Sequence, residues 1–459
     1  MKARALILIL GLTAVLGIGG YAAWKSPWVR SFFARDSENL AEIDRAANAA
    51  IPNEKPPEAA SGSPQWRGAS RKGVAAVGSF RTDWEKLPPK ELWRVPIGGG
   101  FGSCSVVGGK LYVQDKQGDK ERVVCLDAET GKQIWEYAYQ SGPAGSDGSF
   151  ANGPRATPTV VGNWVFAVGG SGKLVALEAD GASAKLRWEH DLLSEFGAPL
   201  PQWGVAGSPL VLGDLVVVQP GGPDASVVAF DRTKGDVKWK AGSNPPSYSS
   251  AVAAPIGGQD TVFAFTGDAL LAIRPTDGKI TDNFKWVTQF GANIATPLVV
   301  DEYVFISSSY SMGCALLRAE KTGDEVKLVK VYERRKGGFQ NHHATSVYKD
   351  KHLFGTDGLK GSNGLTCVEF SSGKEVPGWA GDESKELKQA SVVLVGDHLL
   401  IQTESGHLCL VEANPKEFKL VGRVDKVLSG KNNWATPTLV DGRIYVRDEK
   451  NVVCLDVRP

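Results

Sequence analysis

His342 and His343 adjoin in a chain with six histidines, and imidazole is the commonest metal ligand. The pair nevertheless predicts no metal. Neighbours on a strand face opposite sides, so at most one ring can enter a shared site, and no Cys, Asp or further His follows at ligand spacing. The chemistry that is left is binding. Phe101, Arg155, Trp203, Tyr248, Asn293, His342, His343, Lys388, Gln389, Asn433 and Trp434 each stand just ahead of a β-rich stretch. The set is polar, aromatic and cationic, and a planar or anionic ligand suits Arg155, Lys388 and the two Trp rings. No acid lies close to these strand starts; the nearest, Glu386, is two residues before Lys388. No catalytic residue is expected: a G-x-S-x-G elbow and paired catalytic carboxylates are both missing, and the Gly-rich residues 98–102 fail the dinucleotide spacing and precede a strand.

What positions these residues is a unit of about 45 residues, repeated eight times from Gly102 onward. Small residues lead in, as in Ala156-Thr157-Pro158, Gly207-Ser208-Pro209, Ala295-Thr296-Pro297 and Ala435-Thr436-Pro437. β-rich segments follow, and the unit closes on an acid, a Gly and a Trp: Asp127, Gly131 and Trp135, or Asp231, Gly235 and Trp239. These regular residues have structural duties, the Asp and Gly shaping a turn and the Trp lying in the seam between units. The last unit stops at Pro459 without a fourth strand, and residues 91–95 (Glu-Leu-Trp-Arg-Val) supply one. The expectation is an all-β, eight-bladed propeller of four-stranded antiparallel blades, closed by pairing an N-terminal strand with the C-terminal blade. A seven-bladed ring is the competitor, because the fifth and seventh units are degenerate.

Ahead of the repeats, residues 1–24 hold Lys2, Arg4 and an uncharged run long enough to span a bilayer, read as a signal-anchor. Cleavage at Gly20-Tyr21-Ala22 is the alternative. Residues 25–62 read as a linker, within which 36–51 can form a short helix. The propeller is assigned to 63–459. Lys+Arg of 52 against Asp+Glu of 51 leaves +1, so no basic excess calls for nucleic acid. Cys125, Cys367, Cys409 and Cys454 occupy one repeat position that elsewhere carries Ala176, Ala229 and Ala272, which suits small buried thiols better than disulfides.

The acid–Gly–Trp closures at 125–135 and 229–239 resemble the pyrroloquinoline-quinone-type (PQQ-like) propeller family. Residues 63–68 (Ser-Pro-Gln-Trp-Arg-Gly), 203–209 and 441–446 are similar to its exported bacterial members, BamB-like and quinoprotein-like. The resemblance covers 63–459 and implies the fold. Members include quinoprotein dehydrogenases, which are enzymes, and an outer-membrane assembly scaffold without a cofactor. The dehydrogenases hold the quinone with Ca²⁺ through oxygen ligands including carboxylates and use an Asp base. This chain departs from them in its acid-free lead-ins and in lacking their adjacent cysteine pair. The expectation is therefore a membrane-tethered, non-enzymatic scaffold or ligand-binding propeller without a cofactor. It would be monomeric, anchored in the inner membrane with its propeller in the periplasm, and would meet envelope proteins through rim loops such as 141–154. A PQQ- and calcium-dependent dehydrogenase or quinone sensor is the alternative, as is secretion after signal cleavage.

Overall fold

The structure, a computed structural model, describes residues 62–76, 80–146 and 153–459. The expected anchor, nearly all of the linker, and the centre of loop 141–154 lie outside the described residues. Residues Asn53–Pro459 form one compact unit. No helix among the described residues is long and apolar enough to cross a membrane.

Eight antiparallel sheets follow one another along the chain, each running outward from an inner strand, which makes an eight-bladed propeller. The inner strands, blades one to eight, are Ser105–Val107, Thr159–Val161, Leu210–Leu212, Val252–Ile256, Leu298–Val300, Val347–Lys349, Ala390–Val395 and Thr438–Val440. Sheet position explains the residue pattern. Third strands such as Ala269–Ile273 are covered on both faces and are apolar throughout, whereas the outermost strand Gln133–Gln140 alternates buried and exposed residues. Blade eight is completed from the other end of the chain. Lys90–Pro96 pairs with Asn451–Asp456, Glu91 opposite Leu455 and Trp93 opposite Cys454, with a bulge at Leu92. This decides eight blades over seven and leaves the ring no open edge.

Blade six differs from its neighbours. Its sheet has three strands, extended only by an isolated bridge between Val368 and Glu375, because Pro377 follows and offers no N–H to a fourth ladder. Trp379 nonetheless reaches its seam from a 3₁₀ turn and donates to the Asn414 carbonyl at 3.0 Å.

The regular residues do build turns and seams. Asp127 Oδ1 accepts from the Thr130 N–H at 2.8 Å, and Asp231 Oδ1 from the Lys234 N–H at 3.0 Å. Each turn then presents a glycine to the tryptophan of the preceding blade. At Gly235 (φ +79°) a Cβ would lie 2.7 Å from the Trp188 ring, and at Gly131 (φ +72°) 2.8 Å from Trp93. Glycine is required there both for its backbone and for the indole's approach. Trp188 donates to the Arg232 carbonyl at 3.1 Å and Trp239 to that of Pro275 at 2.7 Å, fastening one blade to the next. All six cysteines are free and buried.

A segment before the first blade fills the middle of the ring. Ser63 bridges Val106 of blade one, and Pro64 accepts from Val160 of blade two at 2.8 Å. Arg71 donates to Pro209 of blade three and, at 2.8 Å, to Ala251 leading into blade four. Trp66 reaches Thr296 ahead of blade five at 3.0 Å. Arg67 donates to Thr345 and Ser346, ahead of blade six, at 2.7 and 2.6 Å, and Ala75 to Leu394 of blade seven at 2.9 Å. Both guanidiniums are buried among carbonyls. Burial lowers them to about 9, still well above neutral pH, so both are charged there.

Candidate functional site

Where the inner strands begin, the ring encloses a cavity of about 320 Å³. Of the lead-in residues, Phe101, Arg155, Trp203, Tyr248, His342, His343, Gln389 and Trp434 line it. Asn293, Lys388 and Asn433 do not. Asn293 is fully buried behind the wall, donating to Thr266 and Trp286 carbonyls at 2.7 and 3.1 Å. Asn433 ties its own loop through the Glu404 carbonyl at 2.8 Å, and Lys388 is exposed.

Further walls come from residues that the lead-in pattern did not point to. Trp66 enters from the central plug, and Tyr310, Lys360 and Glu404 line the cavity from the loops joining second and third strands of blades five, six and seven. The sequence carried a signal for them. In an up-and-down blade the loop between second and third strands returns to the end from which the first strand set out, so both sets of loops share one rim.

Glu404 corrects the expectation of an acid-free funnel. Its carboxylate accepts the Trp434 indole N–H at 2.7 Å. Glu386, the nearest acid by sequence, is exposed on the short helix Asp382–Glu386, 3.9 Å from Arg423. The histidine pair is also corrected, since both rings line the cavity. Residues 341–343 are loop, with the strand beginning only at Val347, so strand alternation does not govern them. The imidazoles stack at 4.0 Å and 22°. His342 Nε2 lies 3.3 Å from the Tyr310 hydroxyl, and His343 Nδ1 meets the Gln389 amide. Burial lowers His342 to about 4 and His343 well below its usual value, with Lys360 adding to both shifts, so both are neutral at pH 7.

The rings form a collar. From Tyr248 it runs to Trp203 (5.5 Å), Phe290 (5.9 Å), Tyr310 (5.9 Å) and His342 (5.4 Å). It continues through His343 to Trp434 (4.5 Å) and Phe101 (5.0 Å), over whose ring the Arg155 guanidinium sits at 5.4 Å. Phe290, Tyr310 and Lys360 hold positive φ of 61°, 58° and 55°, strain of the kind that gathers at binding sites.

Calcium takes six to eight oxygen ligands. Among the described residues the wall offers one carboxylate, bonded to Trp434, and no three His, Cys, Asp or Glu cluster to hold a metal ion. The donors that the described residues supply do not fit a calcium-held quinone.

The family described as outer membrane protein assembly factor BamB matches residues 58–153 and 144–379, more than half of the chain. The chain belongs to this family. Among solved structures, this BamB-family propeller is similar to BamB from Moraxella catarrhalis, at 14% identity over 80% of this chain and 97% of that one, TM-score 0.55. It is similar in fold to a europium-containing methanol dehydrogenase, at 13% identity over 89% and 91%, TM-score 0.58. A quinohemoprotein alcohol dehydrogenase from Comamonas testosteroni gives 13% identity over 91% and 84%, TM-score 0.60. No curated protein matches the BamB-family chain. At these identities the structural likeness concerns the fold alone, so scaffold and dehydrogenase share an architecture that the wall residues must tell apart.

Proposed function

We propose that this propeller is a non-enzymatic binding scaffold of the cell envelope, held at the inner membrane by residues 1–24 with its blades outside the cytoplasm. The observation that carries the reading is the cavity wall, where one carboxylate bonded to Trp434 stands among aromatic rings and neutral imidazoles. Such a wall binds and orients; among the described residues it lacks the set of oxygen ligands that a calcium-held quinone requires. Membership of the BamB family supports the same reading. Envelope proteins would dock on the rim loops, with loop 141–154 the longest. Cross-linked pull-down of the full-length chain from envelope membranes should recover a specific protein partner. Reconstitution with PQQ and Ca²⁺ should yield neither a retained chromophore nor dye-linked oxidation of alcohols or sugars. Retained chromophore with turnover would overturn the reading.

A further inference from the structure

We infer that the centre of the ring holds a monatomic anion of the halide class, chloride, in a small pocket between the plug and blade eight. The site is separate from the aromatic cavity and stands whatever that cavity binds.

The plug carries cations into the ring without a counter-charge. Arg67 and Arg71 are only 5% and 4% exposed. Every acceptor they meet is neutral: backbone carbonyls for both, with the Gln65 amide and the Thr159 hydroxyl added for Arg71. Neither guanidinium pairs with a carboxylate among the described residues, and buried charges are ordinarily paired. Arg67 also has a donor to spare. Its Nη1 and Nη2 go to Thr345, Ser346 and Lys72, while its buried Nε meets no acceptor. Buried polar groups left in this way are rare and costly.

The same side chain lines a pocket of about 20 Å³. The plug bonds described above reach blades one to seven, and the pocket lies where Thr436, Pro437, Thr438 and Leu439 bring blade eight to the plug. Its described walls hold no Asp or Glu but do hold hydroxyls. Ser103 Oγ accepts the Thr436 N–H at 2.8 Å and keeps its own hydrogen to donate, and the Thr436 hydroxyl makes no bond among the described residues. A guanidinium N–H beside hydroxyls, with no acid, is a donor set for an anion. Water would satisfy the Nε–H and leave the charge uncompensated. Room for about one water-sized particle shuts out phosphate, sulfate and carboxylates, which leaves a halide.

Bromide takes the place of chloride and is located by its anomalous scattering. Crystals of the full-length protein grown in bromide should show an anomalous peak within hydrogen-bond reach of Arg67 Nε. Thermal melts at constant ionic strength should rise as chloride replaces gluconate, an anion too large for the pocket, and rise by equal steps per tenfold of chloride once the site fills. Thr436→Val, which deletes a hydroxyl and keeps the backbone N–H, should weaken halide binding by about tenfold or more, as loss of one hydrogen bond to a charged group does. Arg67→Ala should abolish the chloride dependence. A pocket that holds only water, without an anomalous peak, overturns the inference, as does a melt that rises equally in gluconate or in Arg67→Ala. Should Arg67→Ala fail to fold, the peak and Thr436→Val decide, and an unchanged chloride dependence in Thr436→Val overturns the inference.

Discussion

Arg67→Ala should destabilise the whole propeller, not only the segment that carries the residue. The guanidinium donates to Thr345 and Ser346 at 2.7 and 2.6 Å and to Lys72 at 2.9 Å, tying the plug's own turn to the blade-six lead-in. A hydrogen bond to a charged group contributes about 1.5–3 kcal/mol net, and each buried carbonyl left bare costs about 1–3 kcal/mol. Removing the side chain also releases the desolvation penalty of a buried charge, several kcal/mol and of opposite sign. Water reaching the vacated space from the small adjoining pocket that Arg67 lines would recover part of the rest. The balance is a loss of about 3 kcal/mol, within the range for breaking a buried polar network. Urea unfolding followed by tryptophan fluorescence should show the midpoint falling with the slope unchanged. Arg67→Lys keeps the charge with a compact head that meets fewer acceptors, and should fall between the two. A change for Arg67→Ala within about 0.5 kcal/mol, the size of an ordinary surface substitution, would refute the reasoning and make the plug a passenger.

The neutral imidazoles set a pH dependence. Both histidines have folded values below the usual 6.5, so the unfolded chain takes up protons first as pH falls. Their contribution is fully present above 6.5 and is lost as pH falls from 6.5 to 4, by about 3 kcal/mol from His342 alone. Thermal melts across that window should fall steeply, and His342→Gln with His343→Gln should flatten the slope; an unaltered slope would show that these rings do not titrate as described. Burial raises the thiols of Cys104, Cys125, Cys314, Cys409 and Cys454 to about 12, which leaves them unreactive at neutral pH. A colorimetric thiol reagent should find no fast-reacting group in the folded protein and all six after unfolding; a rapid native reaction would mean that a seam opens.

The ring was legible because its causes are local and repeated. Asp127, Gly131 and Trp135 recur as a group since every seam poses the same packing problem, and Trp93 with the C-terminal strand shows up as a unit cut in two. Blade six departs where one residue, Pro377, removes a donor. The cavity was half legible for a reason of topology. Residues just ahead of inner strands, such as Trp203 and Trp434, could be located from the repeat, whereas Glu404, Lys360 and Tyr310 sit on hairpin loops whose lengths vary from blade to blade. The histidine pair misled because strand alternation does not hold at His342 and His343, which precede their strand. Trp66 and the two plug arginines make contacts so distant in sequence that no period reports them.

The plug also sets an order of events in biogenesis. Residues 63–76 leave the ribosome before any blade does, yet the carbonyls that receive Arg71 belong to blades three and four and those that receive Arg67 to blade six. The strand Lys90–Pro96 likewise waits for Asn451–Asp456, made after all the other blades. Arg71 therefore stays without its acceptors until blades three and four are made, Arg67 until blade six, and one sheet edge stays open until blade eight. A chain built this way stays unlocked until blade eight is made, so removal of the strand Asn451–Asp456 should be felt at Lys90–Pro96 as well as in blade eight.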